Sequence, residues 1–300
     1  MTKSILCSLT LVLALCTNPT AAAADNVSKG DKQGERAEPI WRTLSPQNTL
    51  YMDTKSGRII FELAQQFSPG NVAHIKQLIR SGFYDGLTFY RVIDGFVVQG
   101  GDPSESDEHK SALAKKTMKA EFERTIDKTA SFTLVQTPDL LAQQTGFIDG
   151  FAVGRSLTEN KEWLITCPGV VNLARSNSPD SGTTDFAIMI GQAPRHLDRN
   201  MSIFGRIIHG QEHLNLIKRG AKKNGGMIDD PAQRSKIIKM TIAADLPKAQ
   251  QLNIEIENTH TKAFKQKFAD RRKRAHGFYK HKGNGALDIC YLKTDVRINK

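Results

Sequence analysis

Between Phe83 and Pro103 the chain reads FYDGLTFYRVIDGFVVQGGDP, and few side chains there can do chemistry. Arg91 sits in an apolar run behind Phe89 and Tyr90, and Phe96 and Gln99 come after the tight-turn pair Asp94-Gly95. One reaction suits such a set because it needs no nucleophile. Rotation about an X-Pro bond requires only that the amide's partial double bond, with its barrier of roughly 20 kcal/mol, be weakened. A donor aimed at the prolyl nitrogen occupies the lone pair that otherwise conjugates with the carbonyl, and an apolar, water-free pocket holds the ring. Arg stays charged and offers a planar fork of N–H groups, while Phe offers a flat wall. Strict alternation puts Phe89, Arg91 and Ile93 on one face and Tyr90 and Val92 on the other, so Arg91 is expected to point out of the sheet toward Phe96 and Gln99. An Arg between aromatics also suits a surface position along which its stem simply lies, so spacing alone leaves both readings open.

Other chemistries find no constellation. The sequence holds no phosphate-binding GxxxxGK[ST], no GxSxG and no HExxH, and its eight His residues show no metal spacing. Gly220 to Gly226 mixes glycine and lysine without the strand-to-helix context that a phosphate loop requires. Cys167 precedes Pro168 with nothing nearby to mark it as activated. Neither a metal nor a cofactor is expected.

The elements that must position Arg91 can be read from periodicity. Leu50 to Asp53 and Arg58 to Leu63 flank a turn at Lys55-Ser56-Gly57 and predict a hairpin. Pro69 opens a helix whose Val72, Ile75, Leu78 and Ile79 recur at helical spacing, and Gly82 stops it. Strands come next at Phe89–Ile93 and Phe96–Gln99. The stretch 104–166 is polar with weak periodicity, holds an apolar island at Ser131 to Val135, and reads as an insertion with elements of its own. Short strands return at Gly169–Ala174, Asp185–Ile190, Ser202–Ile208 and Ile237–Ala243, with a short helix at His213–Ile217. Many short strands and few helices predict a mainly β protein, a closed antiparallel barrel rather than an alternating βαβ sheet. Beyond Pro247 come a strand at Leu252–Ile256, a basic helix and a final strand over Ala286–Ile298.

With 300 residues, 39% apolar and 24% charged, the chain is an ordinary globular protein with room for appendages. Residues 1–24 combine Lys3, the apolar run Ile5 to Cys16 and a tail of alanines. That is the pattern of a cleaved secretory signal, too short to span a bilayer some 20 residues deep. A lipoprotein at Cys16 is less favoured, because Leu15 is bulky where such signals carry a small residue. Cleavage leaves Cys167 and Cys290, which in an oxidising compartment could form a disulfide or remain buried thiols. The net charge of +11 is concentrated in Lys262 to Lys282, where nine Lys and Arg stand against the single Asp270. Such a run is commonly a solvated face, although it can also serve nucleic acid or an anionic surface.

The Phe83–Asp102 run closely resembles the cyclophilin signature F-Y-x-x-x-x-F-H-R-V-I-x-G-F-M-x-Q-G-G-D, here as Phe83-Tyr84, Phe89-Tyr90-Arg91-Val92-Ile93, Gly95-Phe96-Val97 and Gln99-Gly100-Gly101-Asp102. Gly169 to Arg175, Thr184-Asp185-Phe186-Ala187-Ile188 and Phe204-Gly205-Arg206-Ile207 match later strands of that family in order. The resemblance implies an eight-stranded barrel with two capping helices over residues 48–245. It breaks at the 104–166 insertion, is preceded by a linker at 25–40, and leaves a basic extension at 246–300. It implies prolyl isomerase activity with Arg91 as the catalytic guanidinium. Substrate would be held by Phe96, Val97, Gln99, Ala174, Asp185, Ala187 and Leu197. Departures from the pattern are Tyr90 for His, Val97 for Met, Asp185 for Gln and Ala187 for the Phe that closes the proline pocket, with His196 and Met201 at two further altered positions. Losing a Phe wall removes of order 1–3 kcal/mol of apolar contact unless something fills the gap, for instance Phe147 or Phe151.

These readings predict a monomeric periplasmic peptidyl-prolyl isomerase acting on proline-containing polypeptides, with no transmembrane segment and no nucleic-acid partner. The alternative is a weakly active or inactive chaperone or peptide-binding module on the same fold.

Overall fold

The computed structural model of the chain describes residues 40–102, 111–192 and 194–299. The leader expected at 1–24 and the tether up to residue 39 lie outside the described residues, as do positions 104–110 of the insertion.

In chain order the strands are β1 (Trp41–Thr43), β2 (Thr49–Thr54), β3 (Gly57–Leu63), β4 (Thr88–Ile93), β5 (Val97–Gly101), β6 (Arg124–Thr125), β7 (Thr133–Gln136) and β8 (Gln144–Ile148). They continue as β9 (Phe151–Ser156), β10 (Lys161–Leu164), β11 (Val170–Leu173), β12 (Phe186–Met189), β13 (Ile203–His209), β14 (Ser235–Ile242), β15 (Asn253–Glu257) and β16 (Val296–Asn299). The helices are α1 (Pro69–Arg80), the single turn α2 (Ala112–Lys115) and α3 (Lys262–Lys273).

Eight strands close into an antiparallel barrel in the order β11-β12-β5-β4-β14-β2-β3-β13. Its interior is apolar because alternate residues turn inward: Leu50, Met52, Ile59, Phe61, Val98, Phe186 and Ile188 belong to one buried cluster. Helix α1 packs Val72, Ile75, Leu78 and Ile79 into the same cluster. The second cap is the 3-10 stretch Gln211–Leu216, which contributes Leu214.

Strand β4 departs from simple alternation. A bulge shifts its register against β5 between Phe89 and Arg91, so that Phe89 and Val92 are both fully buried in the barrel core while Arg91 and Ile93 face outward. The expected grouping of Phe89 with Arg91 is therefore wrong: the extra residue at Tyr90 flips the parity of Arg91 and the residues after it.

The insertion forms a five-stranded antiparallel sheet, β6-β10-β9-β8-β7. Its polar centre is Glu162, fully buried, which accepts from Arg124 Nε at 2.8 Å and Arg155 Nε at 2.9 Å. Glu121 ties the insertion to α1 by accepting from the backbone N–H groups of Gly70 and Asn71 at 2.9 and 2.8 Å, at the end of the helix that favours negative charge. A third sheet, β1-β15-β16, joins Trp41–Thr43 to the C-terminal extension. The final strand is shorter than expected, Val296–Asn299 instead of Ala286–Ile298. Asp288 caps a 3-10 turn at Ile289–Tyr291, which breaks the extended run. Cys290 in that turn is disulfide-bonded to Cys167.

Candidate active site

The site lies on the outer face of β4, β5 and β12. Asp94-Gly95 closes the β4–β5 hairpin with Gly95 at a φ of +70°, and Arg91 then faces Gln99 across the pair. Arg91 Nη1 donates to Gln99 Oε1 at 3.1 Å, and its Nε donates to the Gly225 carbonyl at 3.0 Å. Two edges of the guanidinium are thus fixed. Among the described residues Nη2 has no hydrogen-bond partner, which leaves a donor of the fork to present outward.

The network continues inward. Gln99 Nε2 donates to the Tyr90 hydroxyl at 2.5 Å, and that hydroxyl donates to Asp185 Oδ2 at 2.6 Å. Asp185 Oδ1 accepts from the Asp102 N–H at 2.9 Å. Burial first, then the Asp185 charge and hydrogen bond, push the Tyr90 hydroxyl far above its ordinary range, so it remains a donor. Gly101 makes room for this arrangement: at φ +137° it is strained for any side chain, and a Cβ there would stand 2.1 Å from Asp185 Oδ1.

The apolar wall is built from β5, β12 and the turn beyond β12. Val97 and Ala187 are 2% and 6% exposed, whereas Phe96 and Leu197 are half-buried. All of them belong to one apolar cluster that also takes in Met189, Val170, Ile203 and the insertion's Val135, Phe147, Phe151 and Leu164. The insertion therefore backs the wall. Phe147 itself stacks edge-on with Phe264 at 5.2 Å, and Phe151 lies 6.1 Å from Phe67, so the ring partners of both lie elsewhere than Ala187.

One ion pair locks the insertion to the wall. Arg195 Nη1 and Nη2 donate to the two carboxylate oxygens of Asp139 at 3.1 and 2.8 Å, and both side chains are less than a tenth exposed. Arg195 Nε also meets Asp198 at 3.1 Å. Arg195 opens the 3-10 turn Arg195–Leu197, so this contact fixes Leu197 directly, and His196 between them is exposed.

The structure thus brings Arg91, Phe96, Val97, Gln99, Asp185, Ala187 and Leu197 onto one wall and its support. Ala174 is half-buried beside β12, its N–H given to the Asp185 carbonyl at 2.7 Å. Sequence reasoning missed Tyr90 and Arg195 as site-building groups. Tyr90 stood out only as a departure from a pattern, and the partner of Arg195 comes from a segment without recognisable periodicity.

Comparison with known proteins places this architecture. The family model described as cyclophilin type peptidyl-prolyl cis-trans isomerase/CLD matches residues 49–242. The chain belongs to that family of peptidyl-prolyl isomerases. It is 31% identical over 200 residues to a probable peptidyl-prolyl cis-trans isomerase of Brucella suis biovar 1, covering 67% of this chain and 85% of the relative. It is 26% identical over 189 residues to the Arabidopsis thaliana isomerase CYP23, covering 63% and 68%. The crystal structure of cyclophilin AquaCyp293 from Hirschia baltica superposes with a TM-score of 0.70 at 26% identity, covering 86% of this chain and 93% of that one. An overlap of 86% exceeds what residues 49–242 supply, so the likeness takes in parts outside the barrel domain.

Proposed function

We propose that this chain is a periplasmic isomerase, cleaved after Ala24 and monomeric, which turns X-Pro bonds in exported polypeptides and so assists their folding. The observation that carries the reading is the fixed guanidinium of Arg91, held by Gln99 and the Gly225 carbonyl beside the apolar wall of Phe96, Val97 and Leu197.

In this reading the prolyl ring lies against Phe96 and Leu197, over a floor of Val97 and Ala187. The free N–H edge of Arg91 donates to the prolyl nitrogen, removes its lone pair from conjugation and lets the bond rotate. Gln99 and Asp185 act differently from what the family pattern implies. Both ends of the Gln99 amide are engaged by Arg91 and Tyr90, and the Asp185 carboxylate by Tyr90 and the Asp102 N–H, so both serve as positioning residues. The Ala174 carbonyl remains as a backbone acceptor for the peptide.

The test is a proline-isomerisation assay on a Pro-containing peptide. Arg91→Ala is expected to lower kcat/KM by about 100-fold or more, the scale of losing one aligned transition-state donor. Equal rates for the two proteins would sink the assignment of Arg91. Export is tested by fractionation: retention of the full-length chain in the cytoplasm would overturn the periplasmic reading.

A further inference from the structure

The basic extension exposes more than charge. Helix α3 buries Ala263, Phe264 and Phe268 and turns Lys262, Lys265 and Lys273 to solvent. Of the nine cations between Lys262 and Lys282, Lys267 is neutralised internally, by Glu257 at 2.7 Å and Asp295 at 2.5 Å. Arg272 is turned inward too, donating to Gln136 Oε1 and to the carbonyls of Gly285 and Val135. Apart from Lys267, these cations have no ion-pair partner among the described residues.

Large rings stand among these cations. Phe278 is 78% exposed, Tyr279 45% and Tyr291 70%. Phe278 and Tyr279 pack edge to face at 5.5 Å. The surface is built rather than frayed: Arg271 Nη1 donates to the Tyr291 carbonyl at 2.7 Å, and Arg274 Nη1 to the Lys282 carbonyl at 3.1 Å. Arg271, Arg274, Tyr279 and Tyr291 line one groove of about 720 Å³ together with Asp270 and Asp288, so the anion-attracting charge is carried by the exposed lysines around it.

A partner has to answer both features. A soluble polyanion without rings or acyl chains would neutralise the lysines and leave the Phe278 ring in water. Single-stranded nucleic acid, whose bases could stack on the rings, has no place in the periplasmic reading on which this inference rests. An apolar protein cleft would take the ring and leave the cations uncompensated. An anionic bilayer answers both, with negative headgroups above an apolar layer and an interface where Tyr is at home with its hydroxyl in the wet zone. We propose that this C-terminal surface docks on an anionic lipid bilayer, with Phe278 entering the acyl boundary, Tyr279 and Tyr291 at headgroup depth, and Lys262, Lys265 and Lys273 of α3 together with Lys280 and Lys282 over the phosphates.

The test uses the full chain with vesicles of phosphatidylcholine alone and of phosphatidylcholine with phosphatidylglycerol. The apolar run near the N-terminus can enter either vesicle and is common to every variant, so the reading is a difference between variants. Wild type is expected to bind the anionic vesicles more strongly than the neutral ones, and that excess is expected to fall at 0.5 M salt. Phe278→Ser and the triple variant Lys273→Glu, Lys280→Glu, Lys282→Glu should each remove that excess. In Phe278→Trp the added fluorescence should shift to the blue on anionic vesicles. Both serine and glutamate variants should keep wild-type isomerase activity on a soluble peptide. Equal binding to both vesicles, or an added indole emission that does not shift, would overturn the proposal. So would a Phe278→Ser protein that binds heparin and anionic vesicles as wild type does, because charge alone would then account for the surface.

Discussion

Tyr90 donates its phenolic hydrogen to Asp185 across 2.6 Å, joining two residues 95 positions apart that each depart from the family pattern. Where that pattern has a His and a Gln, this chain substitutes a pair that bonds to itself. Through Gln99 the pair reaches Arg91, so four side chains form a single chain of donors and acceptors.

Because the two departures are coupled, their replacement should not be additive. Tyr90→Phe takes one hydrogen-bond donor from a part-buried carboxylate and is expected to cost about 1–3 kcal/mol of stability as well as activity. Restoring the family residues singly, as Tyr90→His or Asp185→Gln, should each lower kcat/KM, while the double variant should recover most of it. Thermal denaturation and peptide kinetics on all four proteins give the coupling directly. Additive losses would show that the pair acts as two independent substitutions.

Acid should loosen the same region through His74. This α1 residue is 2% exposed and its Nε2 donates to the Thr183 carbonyl at 2.8 Å, two residues before Asp185. Burial lowers its affinity for a proton, and the Lys116 charge adds to that, against the opposing Thr183 hydrogen bond. In the unfolded chain the imidazole has its usual pKa of about 6.5 and takes a proton first as pH falls. Stability is therefore fully present above that pH and is lost as pH drops below it toward the lower folded value. His74→Gln keeps a donor and removes the titration, so its melting temperature should lack this downward step. A step that persists unchanged in the variant would assign it to another group.

The insertion should matter to the wall it backs. Breaking a buried pair commonly costs about 3–5 kcal/mol. Asp139→Ala should fall at or below the lower end, because Asp198 still faces Arg195. Freeing the Arg195–Leu197 turn is expected to raise KM for a Pro peptide more than it lowers kcat. A variant that is less stable but unchanged in KM would restrict Asp139 to a structural role.

Much of the barrel could be read in advance, because its signals are local. Asp94-Gly95, the Pro69-to-Gly82 helix and the apolar alternation of β3 each depend on neighbours a few residues apart. The bulge at Tyr90 could not be, since a one-residue change of register leaves no mark in composition. The insertion's sheet was equally hidden. Its centre is Glu162 between two arginines, with Arg155 over Phe132 at 3.8 Å and Arg124 over Phe67 at 4.0 Å, so polar and aromatic pairs replace the apolar rhythm. At the site, Arg91, Phe96 and Gln99 sit within one hairpin and could be grouped by spacing. The Tyr90–Asp185 and Arg195–Asp139 contacts join distant segments and required the fold.

The bond between Cys167 and Cys290 joins residues 123 positions apart in sequence and encloses β11, β12, the Arg195–Leu197 turn and the basic helix. A protease that severs the exposed stretch 176–180, or the exposed loop after α3, would open the backbone without dividing the molecule. The two pieces would stay on one covalent thread, and the wall of the groove would keep its attachment to the rest of the barrel despite the nick.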